Sequence, residues 1–201
     1  MVCYIVGAGE FHGEFKPGDS DLVIAADGGY DALISHGYRC DVLIGDLDSI
    51  SSVPDNIELI RYDKRKDYTD MHLCYLEGVK RGYTTFKIFG GTGGREDHTF
   101  ANLSLIALAK DSGHSITLKA SEYDIFAIKN EECKVNAECG RTLSVFAFGG
   151  EARGVTIKGA EYECVDVSLS PLFPLGVSNA SCGAPVTVSV ENGLLLIMVE
   201  R

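Results

Sequence analysis

Short apolar runs alternate with amphipathic segments over the first two-thirds of the chain. Residues 2–9, 22–29 and 42–46 are apolar runs that end in Gly or Asp, and such runs are typical of strands covered on both faces. Residues 57–63 and 85–91 predict two further strands. Because helical patterns separate these runs, the sequence predicts a parallel sheet in an α/β domain.

Three segments between or after these runs predict helices. They cover residues 30–37, 69–82 and 97–113, and the first two close at Gly37 and Gly82. The apolar positions predicted to form the buried sides of the second and third helices are Leu73, Leu76, Val79, Phe100, Leu103 and Leu108.

After about residue 115 the pattern changes to short, β-branched, partly alternating runs with turns between them. These runs cover residues 115–121, 124–129, 142–148, 154–160, 163–169, 185–190 and 194–200. They predict an antiparallel sandwich or barrel-like module. The predicted fold is therefore α/β: an N-terminal parallel-sheet nucleotide-binding domain, residues 1–125, followed by a C-terminal antiparallel β-sandwich, residues 126–201.

Five aspartates fall in three clusters near predicted strand-to-helix junctions: Asp46 and Asp48 in GDLDSI, Asp67 and Asp70 in KDYTD, and Asp97 in GGTGGREDH. Such junctions share one edge of a parallel sheet, where ligands bind. Gathered carboxylates repel one another unless a cation lies among them. The clusters therefore predict Mg²⁺ and a polyphosphate. Since Mg²⁺ usually takes one or two carboxylates, either two metals bind or some aspartates orient water or substrate.

Each cluster alone also has an ordinary structural interpretation. Asp46 and Asp48 are common turn residues. Asp67 fits the cap of a helix that has Asp70 in its first turn, and Asp97 fits the cap of the next helix. The functional hypothesis depends on the three clusters occurring together.

A glycine-rich segment follows the strand predicted at residues 85–91 and opens the longest helix. It comprises Gly90, Gly91, Thr92, Gly93, Gly94 and Arg95. Glycines let backbone N–H groups approach a phosphate, a helix start favours an anion, and Arg95 can clamp a polyphosphate. The segment is neither a P-loop nor a GxGxxG fingerprint. His98 fits either a general base or a structural histidine.

Two weaker signals accompany these clusters. Asp27 and Gly28 end the run at residues 22–29, where they fit either a nucleotide contact or a tight turn. Lys66 lies beside Asp67 and can neutralise a phosphate or pair with the carboxylates.

Charge and cysteine content narrow the class of protein. The 201 residues carry a formal net charge of −11, which argues against a broad nucleic-acid surface and against binding an anionic membrane. The seven cysteines are an odd number without CxxC spacing, which is typical of reduced thiols in the cytoplasm. No signal peptide or membrane span is recognisable. We therefore expect a cytoplasmic protein.

In their order and spacing these motifs resemble the thiamine pyrophosphokinase family. The resemblance rests on ADGG, GDLDSI, KDYTD, GGTGGREDH with Asn102 in the helix that follows, GVTIKGAEY and GVSN. It implies that the diphosphoryl group of ATP moves to the hydroxyl of thiamine, giving thiamine diphosphate and AMP. It also implies Mg²⁺, and a homodimer with active sites between subunits.

The resemblance assigns roles residue by residue. Those implied for Mg²⁺ and catalysis are Asp46, Asp48, Asp67 and Asp70, those for ATP are Gly90 to Arg95 with Asp97, and those for the thiamine ring are Ser178 and Asn179. The hydroxyl proton is expected to pass to Asp70 or Asp97. The chain has no tryptophan, unlike animal members, so Tyr162 or Phe173 is expected either to stack on the ring or to lie in the core or an interface.

Two other functions fit the same acidic loops. One is a metal-dependent phosphohydrolase acting on a nucleotide or sugar phosphate. Such an enzyme would transfer the phosphoryl group to water. The other is a non-catalytic nucleotide-binding module whose β domain binds a partner.

Overall fold

The computed structural model describes residues 1–46, 57–63 and 67–201, so the predictions for Asp48 and Lys66 lie outside the described residues. The chain divides into two compact units. The first is Met1–Leu105 with Gly113–Ser121, and the second is Ile106–Ser112 with Glu122–Arg201. None of the helices in the described ranges is both long and apolar enough to cross a membrane.

The first unit is built on a parallel sheet. Its strands are β1 Cys3–Val6, β2 Leu22–Ala26, β3 Val42–Gly45, β4 Glu58–Arg61, β5 Thr85–Phe89 and β6 Ser115–Lys119. Their order is β6-β5-β1-β2-β3-β4, and each neighbouring pair is parallel. Every residue of β1, β2 and β3 is buried, as expected for strands covered on both faces. The predicted α/β domain is confirmed.

Helices α1 Gly29–Ser35, α2 Asp70–Lys80 and α3 Glu96–Asp111 complete this part of the chain. Thr69 caps α2, because its hydroxyl accepts a hydrogen bond of 3.2 Å from the backbone N–H of His72. The interpretation of Asp67 as this cap is therefore wrong. Asp70 lies in the first turn, as predicted, where a carboxylate interacts favourably with the helix dipole.

The buried side of α2 differs from the prediction. Leu73 is buried, but Leu76 is 40% exposed and Val79 is only half-buried. The other buried residues of this helix include Met71, Cys74, Tyr75 and Gly78. Their spacing of three, four and seven residues from Met71 fits one helical face better than the predicted set does.

The buried side of α3 was also predicted wrongly. Phe100 and Leu108 are 65% and 44% exposed, whereas Leu105, Ile106 and Ala109 are buried. Since apolar residues occur all round this helix, its periodicity does not identify one face.

The second unit contains two antiparallel sheets. Its strands are β7 Tyr123–Lys129, β8 Glu132–Val135, β9 Thr142–Ala147, β10 Ala152–Lys158, β11 Cys164–Leu169, β12 Asn179–Ala180, β13 Val186–Ser189 and β14 Leu194–Glu200. One sheet has the order β12-β9-β14-β7 and the other β11-β10-β13-β8. One core contains Val145 and Ile197 from the first sheet and Val155 and Val188 from the second. The predicted sandwich is confirmed.

Three strands differ from the prediction. Residues 115–121 were grouped with the antiparallel runs, but β6 pairs in parallel with β5 and belongs to the first unit. Strands β8 and β12 were not predicted. They contain only four and two residues and show no run of buried positions, so hydrophobic periodicity gives no signal for them.

Candidate active site

A cavity of about 390 Å³ lies in the first unit at the carboxyl ends of its parallel strands. It is lined by Gly7, Ala8, Gly9, Ala26, Asp27, Asp70, Met71, Gly90, Gly91, Thr92, Gly94, Arg95, His98, Thr99 and Asn102. These residues end β2, follow β1, β2 and β5, or lie in the first turns of α2 and α3. This edge of a parallel sheet is where ligands bind.

Two loops that follow adjacent strands form one wall of the cavity. Backbone hydrogen bonds extend the pairing of β1 and β5 beyond the strands: the amides of Gly7, Gly9 and Glu10 donate to the carbonyls of Phe89, Gly90 and Thr92 over 2.9, 2.9 and 2.8 Å. Gly90 has a φ of +61°, and a Cβ there would lie 2.2 Å from the carbonyl oxygen of Gly7. Only glycine fits this position, so the wall requires it.

The glycine loop leaves its backbone donors available. No described residue accepts a hydrogen bond from the N–H groups of residues 91–95. The loop runs directly into the first turn of α3, and the side-chain amide of Asn102 holds it by donating to the carbonyl of Gly91 over 2.8 Å. Unused amides at a helix start form an anion-binding site.

Carboxylates approach the same cavity from two other elements. Asp27 follows β2 with a φ of +46°, and Asp70 begins α2; both line the cavity. The side chain of Asp27 lies against Gly45, where a Cβ would be 2.9 Å from the Cβ of Asp27. Asp46 is the next residue after Gly45, so Asp27 lies near the end of β3 as well. A strained φ at a non-glycine residue is typical of functional sites.

The chemistry of these donors fits Mg²⁺. Among the described residues no group of three or more His, Cys, Asp or Glu side chains is placed to hold a metal. Mg²⁺ prefers oxygen ligands and usually takes only one or two carboxylates, with waters and substrate phosphates completing its shell. Asp27 and Asp70 are carboxylates of this kind that line the cavity.

Arg95 forms an ion pair with Asp97 at the rim of the cavity. Its Nη2 lies 2.5 Å from Oδ2 and its Nε 3.1 Å from Oδ1, with the two side chains 73% and 63% exposed. The hydrogen bond from Arg95 lowers the pKa of the Asp97 carboxyl. Asp97 is the second residue of α3 and accepts from the backbone N–H of His98. The pair holds the guanidinium beside the glycine loop.

The structure brings only some of the predicted site residues into the cavity. In the described part of the chain, Gly28, Asp46, Asp67, Gly93 and Asp97 are not among the lining residues. Gly28 precedes the first residue of α1, and Gly93 contacts the side chain of Glu10.

Several lining residues were not predicted to belong to the site. Gly7, Ala8 and Gly9 were assigned to the first strand, and Met71 and Thr99 were given no role. A glycine pair directly after the first strand of an α/β sheet is the signal that could have found the first three, since backbone there approaches phosphates closely.

In the second unit the predicted thiamine residues lie around β12. The Ser178 backbone has a φ of +57°, and its N–H donates to the hydroxyl of Ser144 over 3.0 Å. Asn179 is buried, and its side chain binds the backbone of Tyr162: Nδ2 donates to the carbonyl over 2.7 Å and Oδ1 accepts from the N–H over 2.9 Å. The rings of Tyr162 and Phe173 are 66% and 68% exposed, so neither residue lies in the core.

The comparisons with known proteins cover both units. A family model of the thiamin pyrophosphokinase catalytic domain matches residues 18–118, and a model of the thiamin pyrophosphokinase vitamin B1 binding domain matches residues 122–195. A curated relative, the thiamine pyrophosphokinase of Bacillus subtilis (strain 168), is 27% identical in an alignment that covers 88% of this chain and 86% of the relative.

Solved structures share the fold. The thiamine pyrophosphokinase of Bacillus subtilis superposes with a TM-score of 0.91 at 22% identity, over 100% of this chain and 99% of that one. The thiamin pyrophosphokinase of Candida albicans gives a TM-score of 0.79 at 15% identity, over 99% and 88% of the two chains.

Proposed function

Because the chain belongs to the thiamin pyrophosphokinase family, we propose that it transfers the diphosphoryl group of ATP to the hydroxyl of thiamine, giving thiamine diphosphate and AMP. The observation that carries this function is the cavity that joins unused loop amides to two carboxylates. We assign ATP and Mg²⁺ to residues 1–125 and thiamine to residues 126–201.

The glycine loop and Arg95 bind the phosphates in this proposal. The N–H groups of residues 91–95 donate no hydrogen bond to any described residue. Phosphate oxygens can therefore accept hydrogen bonds from them without breaking contacts within the protein. Arg95 supplies a planar cation that suits phosphate oxygens. Asp97 acts through Arg95, whose guanidinium it orients.

Carboxylates at the same cavity would hold Mg²⁺. We propose Asp46, Asp48, Asp67 and Asp70 as its ligands or water-mediated partners, with Asp27 beside them. The support is that Asp27 and Asp70 line the cavity and that Asp46 directly follows Gly45, which Asp27 contacts. When bound, Mg²⁺ supplies neutralisation of the phosphate charge.

Asp70 is the best candidate to accept the proton of the thiamine hydroxyl. Its carboxylate lines the cavity, whereas the Asp97 carboxylate pairs with Arg95, which lowers its pKa and makes it a weaker base. The hydroxyl oxygen then attacks the β-phosphorus of ATP and AMP leaves. Positioning of the two substrates provides much of the rate in such a transfer.

The thiamine side is proposed to lie at a homodimer interface. Apolar side chains that are more than half exposed concentrate in one segment of the second unit: Tyr162, Val165, Leu172, Phe173, Leu175 and Val177. This segment runs directly into Ser178. Large exposed apolar groups of this kind mark interaction sites. We expect light scattering to give twice the chain mass of 21.6 kDa; the mass of a single chain would contradict the dimer.

The function is tested by AMP formation from ATP and Mg²⁺ with thiamine added or withheld. We expect AMP only with thiamine, in equal amount to thiamine diphosphate. Phosphate or ADP formed regardless of thiamine would instead support the phosphohydrolase. Nucleotide binding without turnover would support the binding module. Family membership favours the transferase over both, and we propose the cytoplasm as its compartment.

A further inference from the structure

Asn102 is a polar side chain buried at the wall of the cavity. It is 6% exposed and lies on α3 among the lining residues. Its Nδ2 donates to the carbonyl of Gly91 over 2.8 Å. This bond fixes the orientation of the amide, because the reversed amide would set two carbonyl oxygens against each other.

The side-chain oxygen of Asn102 is left for a ligand. No described residue donates a hydrogen bond to Oδ1. In the part of the chain that the structure describes, Oδ1 of Asn102 is not among the fully buried polar atoms that lack a hydrogen bond. Oδ1 of Asn102 is therefore accessible, and the accessible space beside this residue is the cavity. A carbonyl oxygen in such a position accepts a hydrogen bond when a donor is present and is costly to leave unpaired.

The acceptor character of Oδ1 decides which part of the ligand it contacts. Phosphate oxygens accept hydrogen bonds, so two acceptors would meet if the polyphosphate lay against it. The phosphates belong instead to the N–H groups of residues 91–95. The donors of ATP are the ribose hydroxyls and the adenine amino group. Within ATP, the groups that can donate to Asn102 are therefore those of the nucleoside.

We infer that Asn102 recognises the nucleoside of ATP, by accepting a hydrogen bond through Oδ1 from a ribose hydroxyl or the adenine amino group while Nδ2 holds the glycine loop. This inference rests on the proposed function, because it assumes that ATP occupies the cavity. It gives Asn102 a role in specificity that is separate from its effect on the loop.

The experiment compares ligands and variants by calorimetry, with Mg²⁺ present and thiamine absent. The ligands are ATP, 2′-deoxy-ATP, 3′-deoxy-ATP, inosine triphosphate and tripolyphosphate. For the wild-type chain we expect one nucleotide that lacks a donor to bind about five- to tenfold more weakly than ATP, the effect of one hydrogen bond. In Asn102→Ala that difference should fall below about twofold, because the shared acceptor is gone. The analogue that shows the effect identifies the donor.

Two controls separate recognition from loop positioning. Ser104→Ala removes a hydroxyl on the same helix that donates to the carbonyl of Phe100 over 3.1 Å and does not line the cavity; it should leave the ATP preference intact. Asn102→Ser keeps a polar group at this position. It replaces Asn102→Ala in the same binding measurements if the alanine variant does not fold.

The inference would be overturned if Asn102→Ala weakened the binding of every ligand equally, tripolyphosphate included. The residue would then act only through Gly91 or the metal. Equal binding of all nucleotides to the wild-type chain would also overturn the inference. A folded wild-type chain that binds no ATP would overturn the proposed function as well, which distinguishes the two failures.

Discussion

The glycine loop of the first unit and the segment around β12 of the second unit use their polar groups in opposite ways. In residues 91–95 the backbone N–H groups have no described acceptor. In Asn179 both polar atoms of the side chain are bound to the backbone of Tyr162, and large apolar side chains such as those of Tyr162 and Phe173 are exposed. The first region offers hydrogen bonds to a ligand, whereas the second uses them to shape a surface.

This difference indicates which half of the site each unit can supply. Unused donors and two carboxylates are sufficient for a polyphosphate with its cation. An exposed aromatic ring held by a buried amide provides area and shape but little charge. We therefore expect ATP binding to respond to the loss of single polar groups. We expect thiamine binding to respond to changes that move the backbone and side chain of Tyr162.

The largest effect is expected from Asp70→Asn. The change keeps the shape of the side chain and removes its ability to take a proton, so kcat should fall by about 10²- to 10⁴-fold. Thr69 still caps α2 through the N–H of His72, so the melting temperature should stay within a few degrees. Steady-state AMP formation measures this. A kcat within fivefold of the wild-type value would remove Asp70 from the mechanism and weaken the contrast between the two regions.

A second prediction concerns the contact between the two loops of the first unit. In Gly9→Ala the new Cβ would lie 2.3 Å from the carbonyl oxygen of Thr92 and 2.7 Å from that of Gly90. Backbone oxygens cannot move independently, so we expect a loss of about 1–3 kcal/mol in unfolding free energy. The melting temperature should fall by roughly 2–4 °C for each kcal/mol, and KM for ATP should rise.

Gly94→Ala is the matched control for this change. It lies in the other of the two loops, its φ is not positive, and the nearest atom to a new Cβ would be 3.9 Å away, at the Cα of Gly9. Its melting temperature should stay close to that of the wild-type chain. Equal losses in the two variants would show that the close contact at Gly9 does not determine the loss, since Gly→Ala without a clash is expected to stabilise the fold slightly.

The sequence predicted the sheet better than it predicted the site, and the reasons are physical. Continuous apolar runs in the sequence directly predict buried strands such as β3. Asp27 and Asp70 were identified because strand ends and helix starts meet at one edge. The glycines of residues 90–94 indicated that backbone N–H groups would bind phosphate, but not which of these groups have no acceptor among the described residues. The pairing of Arg95 with Asp97 and of Asn179 with Tyr162 depends on rotamers and loop shape, which no spacing rule encodes.

The third prediction tests the positioning role of Asn179. Asn179→Ala removes the hydrogen bonds to the N–H and carbonyl of Tyr162, which are partly buried, and leaves a space at a buried position, so we expect a loss of about 1–3 kcal/mol in unfolding free energy. KM for thiamine should rise while KM for ATP stays within twofold. Ser170→Ala is the control, because its exposed hydroxyl accepts only from the N–H of Leu172. An equal rise in both KM values would contradict the division of roles.

The smallest effect is expected from Asp97→Asn. The ion pair with Arg95 is exposed, so its loss should hardly change stability. Without the carboxylate the guanidinium loses its orientation, and we expect KM for ATP to rise about three- to tenfold with little change in kcat, as in the loss of one charge-assisted hydrogen bond. Because Arg95 lowers the pKa of Asp97, the pair persists at neutral pH and is lost only as the pH falls through that lowered pKa.

Steady-state kinetics in low and high salt measures the effect of Asp97→Asn. The KM values for ATP of the variant and the wild-type chain should converge as salt screens the ion pair. A fall in kcat comparable to that of Asp70→Asn would instead place Asp97 among the groups that act on the reacting atoms.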